Sequence, residues 1–338
     1  MNVRRLIPAP AVAGAAALAL VTLSACSGSA GAKNGDKSDG RLDVVASFYP
    51  MQYLAEQIGG DHVAVTTLTK PGVEPHDLEL KPRQTSELRQ TDYVLYLKGI
   101  QPAVDEAIKQ AGVENTVDAA TLTELEDHGT AVGHDHDHGH EGEAPEEHAE
   151  HGGEEHADGH GAEGAAADPH VWLDPVKYAE VAKGVGASLE KADPANAADY
   201  KKNTDALVTK LNGLHTNFEQ GLKNTATRTF ITTHSAFGYL AERYGLEQEG
   251  IAGVDPENEP SPARIKELQT IAKQDKVTTV FFETLASDKT AKALAKDAGL
   301  KTDVLDPLEG ITEQSKGDDY FGVMESNLAA LQKALGAK

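Results

Sequence analysis

Residues 229–251, TFITTHSAFGYLAERYGLEQEGI, decide how the chain folds. They read as a strand over 229–233, a helix over 236–244 and a second strand over 246–251. Strand, helix and strand in immediate succession form the unit of a mainly parallel sheet covered by helices on both faces. His234 directly follows the first strand. In open α/β sheets, ligands gather beyond the carboxyl ends of the strands.

The same alternation runs outward in both directions. Residues 42–48 read as a short buried strand, 50–58 as a helix stopped by Gly59 and Gly60, and 62–68 as a strand. Pro71, Gly72 and Pro75 then force a loop, followed by a helix near 83–89, a strand at 93–97, a helix near 102–111 and a weak strand near 115–117. Beyond residue 251, Ser261 caps a helix from Pro262 to about Gln274; a strand at 277–282, a helix at 287–298, a strand at 302–305 and a helix over 318–335 complete the pattern. Between the two runs, Asp174 and Pro175 have the character of an N-cap and first helical residue, opening a helix to about residue 189. Residues 194–224 contain no proline after their start and place Tyr200, Leu207, Leu211, Leu214 and Phe218 at helical spacings. They predict one long helix of about 28 residues, about 42 Å. The expected architecture is therefore α/β. Two small lobes with mainly parallel sheets, 42–173 and 225–338, are joined by a helical linker, 174–224, that includes the long helix.

A chain of 338 residues accommodates two domains of about 100–150 residues once its tails are removed. Residues 1–25 carry Arg4 and Arg5, an apolar run over 11–20 and small residues before Cys26, the pattern of an export signal. That run is shorter than the roughly 20 residues a membrane span needs. Cys26 is the single cysteine, so no intramolecular disulfide is available. Leu23-Ser24-Ala25-Cys26 resembles the bacterial lipobox, which implies lipid attachment at Cys26. Residues 26–41, with their Gly, Ser, Lys and Asp, would then be a flexible tether.

The net charge of −23 argues against nucleic acid as a partner, because phosphates demand basic patches. Residues 127–168 hold 13 of the 54 acidic residues, 9 of the 14 histidines and no Lys or Arg. They show no apolar periodicity, and such a composition buries too little surface to offset chain ordering. A disordered insert late in the first lobe is expected. Within it, His134, His136, His138 and His140 alternate, and a flexible chain can wrap them round a zinc ion without fixed geometry, giving a weak accessory site. The alternative is an acidic solubilising linker.

Five histidines lie outside the insert: His62, His76, His170, His215 and His234. His76 falls on the loop after a strand, His170 just before a helix start, and His234 at a strand end. Asp306, in Leu305-Asp306-Pro307-Leu308, stands at another strand end. Three imidazoles and one carboxylate drawn from both halves would make a four-coordinate site suited to Zn2+ and place it in the cleft between the lobes. His62 and His215 lack such a context and read as surface histidines. Trp172 and Phe237 read as packing residues beside the site histidines.

Three segments together, Pro75-His76-Asp77-Leu78-Glu79-Leu80-Lys81-Pro82, Asp168-Pro169-His170-Val171-Trp172-Leu173-Asp174-Pro175 and Thr233-His234-Ser235-Ala236-Phe237-Gly238-Tyr239, resemble the metal-binding lipoproteins of ABC importers for zinc and manganese. The resemblance covers nearly all of the chain after the tether. It implies two lobes bridged by a rigid long helix, with His76, His170 and His234 as metal ligands and Asp306 as the fourth, or as the residue replaced there by water. A histidine in the third segment goes with zinc members, so Zn2+ is the implied cargo and an ABC permease the implied partner. A lipid-anchored monomer at the extracytoplasmic face is expected. Glu74 stands as an alternate ligand or as a carboxylate behind His76. Glu283, at the end of strand 277–282, stands as an acceptor orienting a ligand imidazole or as a surface carboxylate.

Other uses of the same residues remain open at this level. The scaffold could serve manganese or iron, or the chain could be a zinc-dependent surface adhesin or zinc store. Three histidines with an open position also describe catalytic zinc. No His-Glu-x-x-His is present and no neighbouring base is evident, so no enzyme activity is expected.

Overall fold

The computed structural model describes residues 40–128 and 167–338. The export signal, Cys26, most of the tether and His134, His136, His138 and His140 lie outside the described residues. The expected insert boundaries, 127 and 168, are corrected. Asp168 is fully buried and its backbone N–H donates to the Glu126 carbonyl at 2.9 Å, so 126–128 and 167–168 are joined to the folded body.

The first lobe runs β1 (Leu42–Ala46), α1 (Tyr49–Gly59), β2 (Val63–Thr67), α2 (Pro82–Leu88), β3 (Tyr93–Tyr96), α3 (Pro102–Ala111) and β4 (Thr116–Asp118). Two helices follow, α4 (Pro175–Ala192) and α5 (Ala197–Leu222). The second lobe runs β5 (Thr229–Thr232), α6 (Gly238–Arg243), β6 (Glu247–Gly250), α7 (Pro262–Gln274), β7 (Thr279–Phe282), α8 (Lys289–Ala298), β8 (Lys301–Val304) and α9 (Tyr320–Leu335). The two sheets have the orders β2-β1-β3-β4 and β6-β5-β7-β8, with every pairing parallel. In each, the order reverses beside the first strand, which opens a crevice at the carboxyl ends.

Successive residues of a strand face opposite sides of its sheet, and for the central strands here both sides are dry. Val44, Ala46, Tyr93 and Leu95 face a large core shared with α1, α4, α5 and α9, whereas Val45 and Val94 face a separate layer with Leu88, Val104 and Ile108. The second sheet repeats this: Phe230 and Phe281 join the large core, and Ile231 and Val280 pack with Leu268 and Leu294.

Helix α5 is the strut of the molecule. Its buried residues Tyr200, Thr204, Leu207, Leu211, Leu214, Phe218 and Leu222 fall three or four apart and form one continuous stripe. It begins at Ala197 rather than at Pro194, because residues Pro194–Asn196 form a 3-10 turn first. Its 26 residues span about 39 Å. Gly186 lets α4 approach it closely: a Cβ there would overlap the Thr204 hydroxyl. Asp174 caps α4 by accepting the Val176 N–H at 2.9 Å, and its other oxygen receives Arg243 of α6 at 2.7 Å, tying the helix start to the second lobe.

Candidate metal centre

Four segments deliver side chains to one point between the sheets. His76 comes from the loop after β2, where Glu74 Oε1 accepts the His76 N–H at 3.0 Å and its Oε2 accepts the Asp77 N–H at 3.3 Å. His170 precedes a 3-10 turn, Val171–Leu173, that leads into α4. His234 follows β5; its carbonyl accepts from Thr232 Oγ1 at 2.7 Å and from Gln248 Nε2 at 3.0 Å, which fixes the backbone there. The fourth side chain is Glu309, on the loop after β8.

The geometry of the four is specific. The Nε2 atoms of His76, His170 and His234 each lie 3.3 Å from the same oxygen, Glu309 Oε1. All four donor atoms lie within 4.8 Å of one another. A tetrahedral zinc ion bound at about 2.0–2.1 Å holds its donors about 3.3–3.4 Å apart, so the three nitrogen–oxygen separations are those such an ion requires. His170, His234 and Glu309 are buried, and His76 retains 10% of its side-chain surface, so the centre opens on the His76 side.

Asp306, expected as the fourth donor, is outside this group. Its Oδ1 accepts the Leu308 N–H at 2.8 Å and its Oδ2 accepts Ser315 Oγ at 3.0 Å and Thr284 Oγ1 at 3.2 Å. It therefore shapes the loop that presents Glu309. Pro307 offers its carbonyl to Trp172 Nε1 at 2.7 Å, and Leu308 turns the chain with φ +59°. That left-handed conformation is uncommon for a residue with a Cβ, and here the flanking hydrogen bonds hold it.

Carboxylates behind the histidines set their tautomers. His170 Nδ1 lies 2.7 Å from Asp168 Oδ1, and His234 Nδ1 lies 2.9 Å from Glu283 Oε1. With the ring proton on Nδ1, each Nε2 presents a lone pair to the centre, facing the lone pairs of Glu309. That arrangement is stable only with a cation or protons between them. Burial opposes charging His170, but Asp168 and Glu309 outweigh it and raise its pKa. The same contest, won by Glu283 and Glu309, raises His234 well above its ordinary value. Burial pushes Glu309 up, yet His234, His170 and His76 together hold it well below the usual carboxylate range. Three carboxylates around three imidazoles suit a divalent cation.

His62 and His215 have other partners. His62 Nε2 pairs with Asp199 at 2.9 Å, and His215 Nδ1 meets the Tyr244 hydroxyl at 3.2 Å. Trp172 packs between Phe48 and His170, both at 5.1 Å between ring centroids, and Phe237 packs on Phe230. The residues missed from sequence are Glu309 and, behind His170, Asp168. Asp306-Pro307 is a turn-initiating pair, which fits Asp306 as a loop former, but no local pattern singled out Glu309.

A family model for the periplasmic zinc-uptake complex component A, ZnuA, matches residues 44–334. The chain is 37% identical over 325 residues to the high-affinity zinc uptake system protein ZnuA of Bacillus subtilis, covering 95% of this chain and 96% of that protein. It is 35% identical over 324 residues to the zinc-binding lipoprotein AdcA of Streptococcus pneumoniae, covering 94% of this chain but 59% of that longer relative. Among solved structures, the Zn(II)-bound ZnuA-like domain of Streptococcus pneumoniae AdcA aligns with a TM-score of 0.68 and 31% identity, over 88% of this chain and 99% of that one.

Proposed function

The chain belongs to the periplasmic zinc-uptake component A family, and from that premise we propose that it captures Zn2+ in the interlobe cleft and delivers it to the permease of an ABC importer. The observation that carries this reading is the approach of three imidazole Nε2 atoms to one Glu309 oxygen at 3.3 Å each. His76, His170, His234 and Glu309 are the ligands. Three imidazoles favour zinc over the harder manganese ion. Capture fits better than catalysis, because Glu309 takes the position that hydrolytic zinc leaves for water. The chain works as a monomer on the extracytoplasmic face, anchored through a lipid at Cys26; the place of that cysteine after an export signal supports this.

The test is an equilibrium titration of the full chain with Zn2+ against a competing chelator. One tight site is expected, lost in His170→Ala and Glu309→Gln. A tight site that survives both changes overturns the assignment of the centre. Preference for Mn2+ in direct competition overturns the choice of metal.

A further inference from the structure

Away from the cleft, Glu126, His128 and Glu242 bring one potential donor atom each within 4.8 Å of one another. His128 Nε2 lies 2.5 Å from Glu242 Oε2 and 3.6 Å from Glu126 Oε2. Lys177 Nζ holds the other Glu126 oxygen at 2.5 Å, which leaves Oε2 for the imidazole and offsets one of the two negative charges. A polar hollow of about 220 Å3, lined by Glu126, Asp174, Lys177, Tyr239, Glu242 and Arg243, adjoins the group. The position of His128 is built. Its ring packs edge-on against Tyr239 at 4.3 Å, and Gly238 makes room for it, since a Cβ there would overlap the His128 side chain.

A second observation points to a cation. Asp168 is fully buried and uses Oδ1 on the His170 ring at 2.7 Å and on the His170 N–H at 2.9 Å. Its Oδ2 has no hydrogen-bond partner and lies 3.6 Å from His128 Nδ1, which also has none. Leaving a buried carboxylate oxygen without a donor is costly. With the ring proton on Nε2 facing Glu242, Nδ1 would turn a lone pair toward Asp168 and leave its Oδ2 without a donor. A cation on Nε2 moves the proton to Nδ1, where a small closing movement gives Asp168 its missing donor.

We propose that Glu126, His128 and Glu242 form a second site for a divalent cation of the Zn2+ class, and that Asp168 is a carboxylate shared between its histidine and His170 of the cleft. One imidazole and two carboxylates, with positions left for water, bind such an ion less tightly than three imidazoles and a carboxylate. Glu242, 64% exposed, gives the ion a path to solvent. Sharing Asp168 couples the two sites: a cation at His128 draws on the charge that orients His170, and the effect is reciprocal.

The inference does not depend on the transport reading and is tested separately from it. Crystals of the full chain grown with a small molar excess of ZnCl2 are measured at the zinc absorption edge. One anomalous peak is expected in the cleft and a second beside His128 Nε2. In Glu242→Gln, which keeps the size of the side chain, the second peak loses most of its occupancy while the cleft peak persists. A filled cleft with no peak at His128 overturns the inference and shows that His128 is satisfied by protonation instead. Full occupancy beside His128 in Glu242→Gln overturns the assigned ligand set. An empty cleft beside a filled second site overturns the proposed function and leaves this inference standing.

Discussion

Asp168 and His170 stand two residues apart, and the aspartate Oδ1 accepts both the backbone N–H of His170 at 2.9 Å and its ring Nδ1–H at 2.7 Å. One carboxylate oxygen thus fixes the loop and the tautomer together, so that Nε2 of the neutral ring presents its lone pair to the centre. Removing such a carboxylate behind a ligand histidine costs about 10–100-fold in metal affinity. Asp168→Asn is expected to lower Zn2+ affinity by that factor in a chelator competition. Unchanged affinity would contradict the role.

Glu309 and Asp306 are separable by experiment. Glu309→Gln is expected to weaken Zn2+ binding more than tenfold, because it alters the one carboxylate that faces all three imidazoles. Asp306→Ala strips the acceptor from Leu308, Ser315 and Thr284 and should cost about 2–4 kcal/mol of stability, read as a lower melting temperature without metal. The reverse pattern would restore Asp306 as the ligand.

Protons compete with the metal, and the sign is fixed. The pKa values of His170 and His234 are raised in the metal-free fold above the ordinary 6.5. Their charged forms therefore contribute stability that is fully present below 6.5 and lost as pH rises through the raised values. Zinc needs the unprotonated nitrogen, so the rise in melting temperature on adding Zn2+ should be larger at about pH 8 than at about pH 6. A larger rise at the lower pH would rule this out.

The contact between α4 and α5 tolerates no side chain at Gly186. Its Cβ position is taken by Thr204, whose hydroxyl donates to the Tyr200 carbonyl at 2.8 Å within α5. Gly186→Val is expected to destabilise by about 1–3 kcal/mol or more through overpacking, measured by chemical denaturation. A neutral effect would show that the helices separate freely.

The lobes should move little on loading. Tyr320 Oη donates to the Trp172 carbonyl at 2.6 Å, Trp172 Nε1 to Pro307 O at 2.7 Å, and Tyr239 Oη to Asp168 O at 2.8 Å, so the segment carrying His170 is fastened to the second lobe. Structures with and without zinc are expected to differ in the loops of His76 and Glu309 and not by a lobe rotation of tens of degrees.

Much of this was legible along the chain. The strand and helix pattern around Thr229–Thr232 and α6 is local, since β-branched runs, caps and breakers act over a few residues. His76, His170 and His234 were picked out by the three segments that resemble the metal-binding lipoproteins of ABC importers, and the structure brings their Nε2 atoms to one Glu309 oxygen. Two residues illustrate the limit. Asp306 looked like a ligand because it ends a strand, yet its oxygens are consumed by Leu308, Ser315 and Thr284. His128 looked like one more histidine of the insert, yet it packs on Tyr239, 111 positions along the chain.

By itself, the sequence determined the alternating elements, the apolar stripe of α5 and which histidines stand at strand and helix ends, because those depend on periodicity and on neighbours close in the chain. Tertiary structure decided that Glu309 faces the three imidazoles, that Glu283 reaches Thr233 and His234, and that Glu242 meets Glu126 and His128. Those choices depend on how loops separated by 50 to more than 200 residues approach one another. Packing fixes that approach to within an ångström, and no local pattern encodes it.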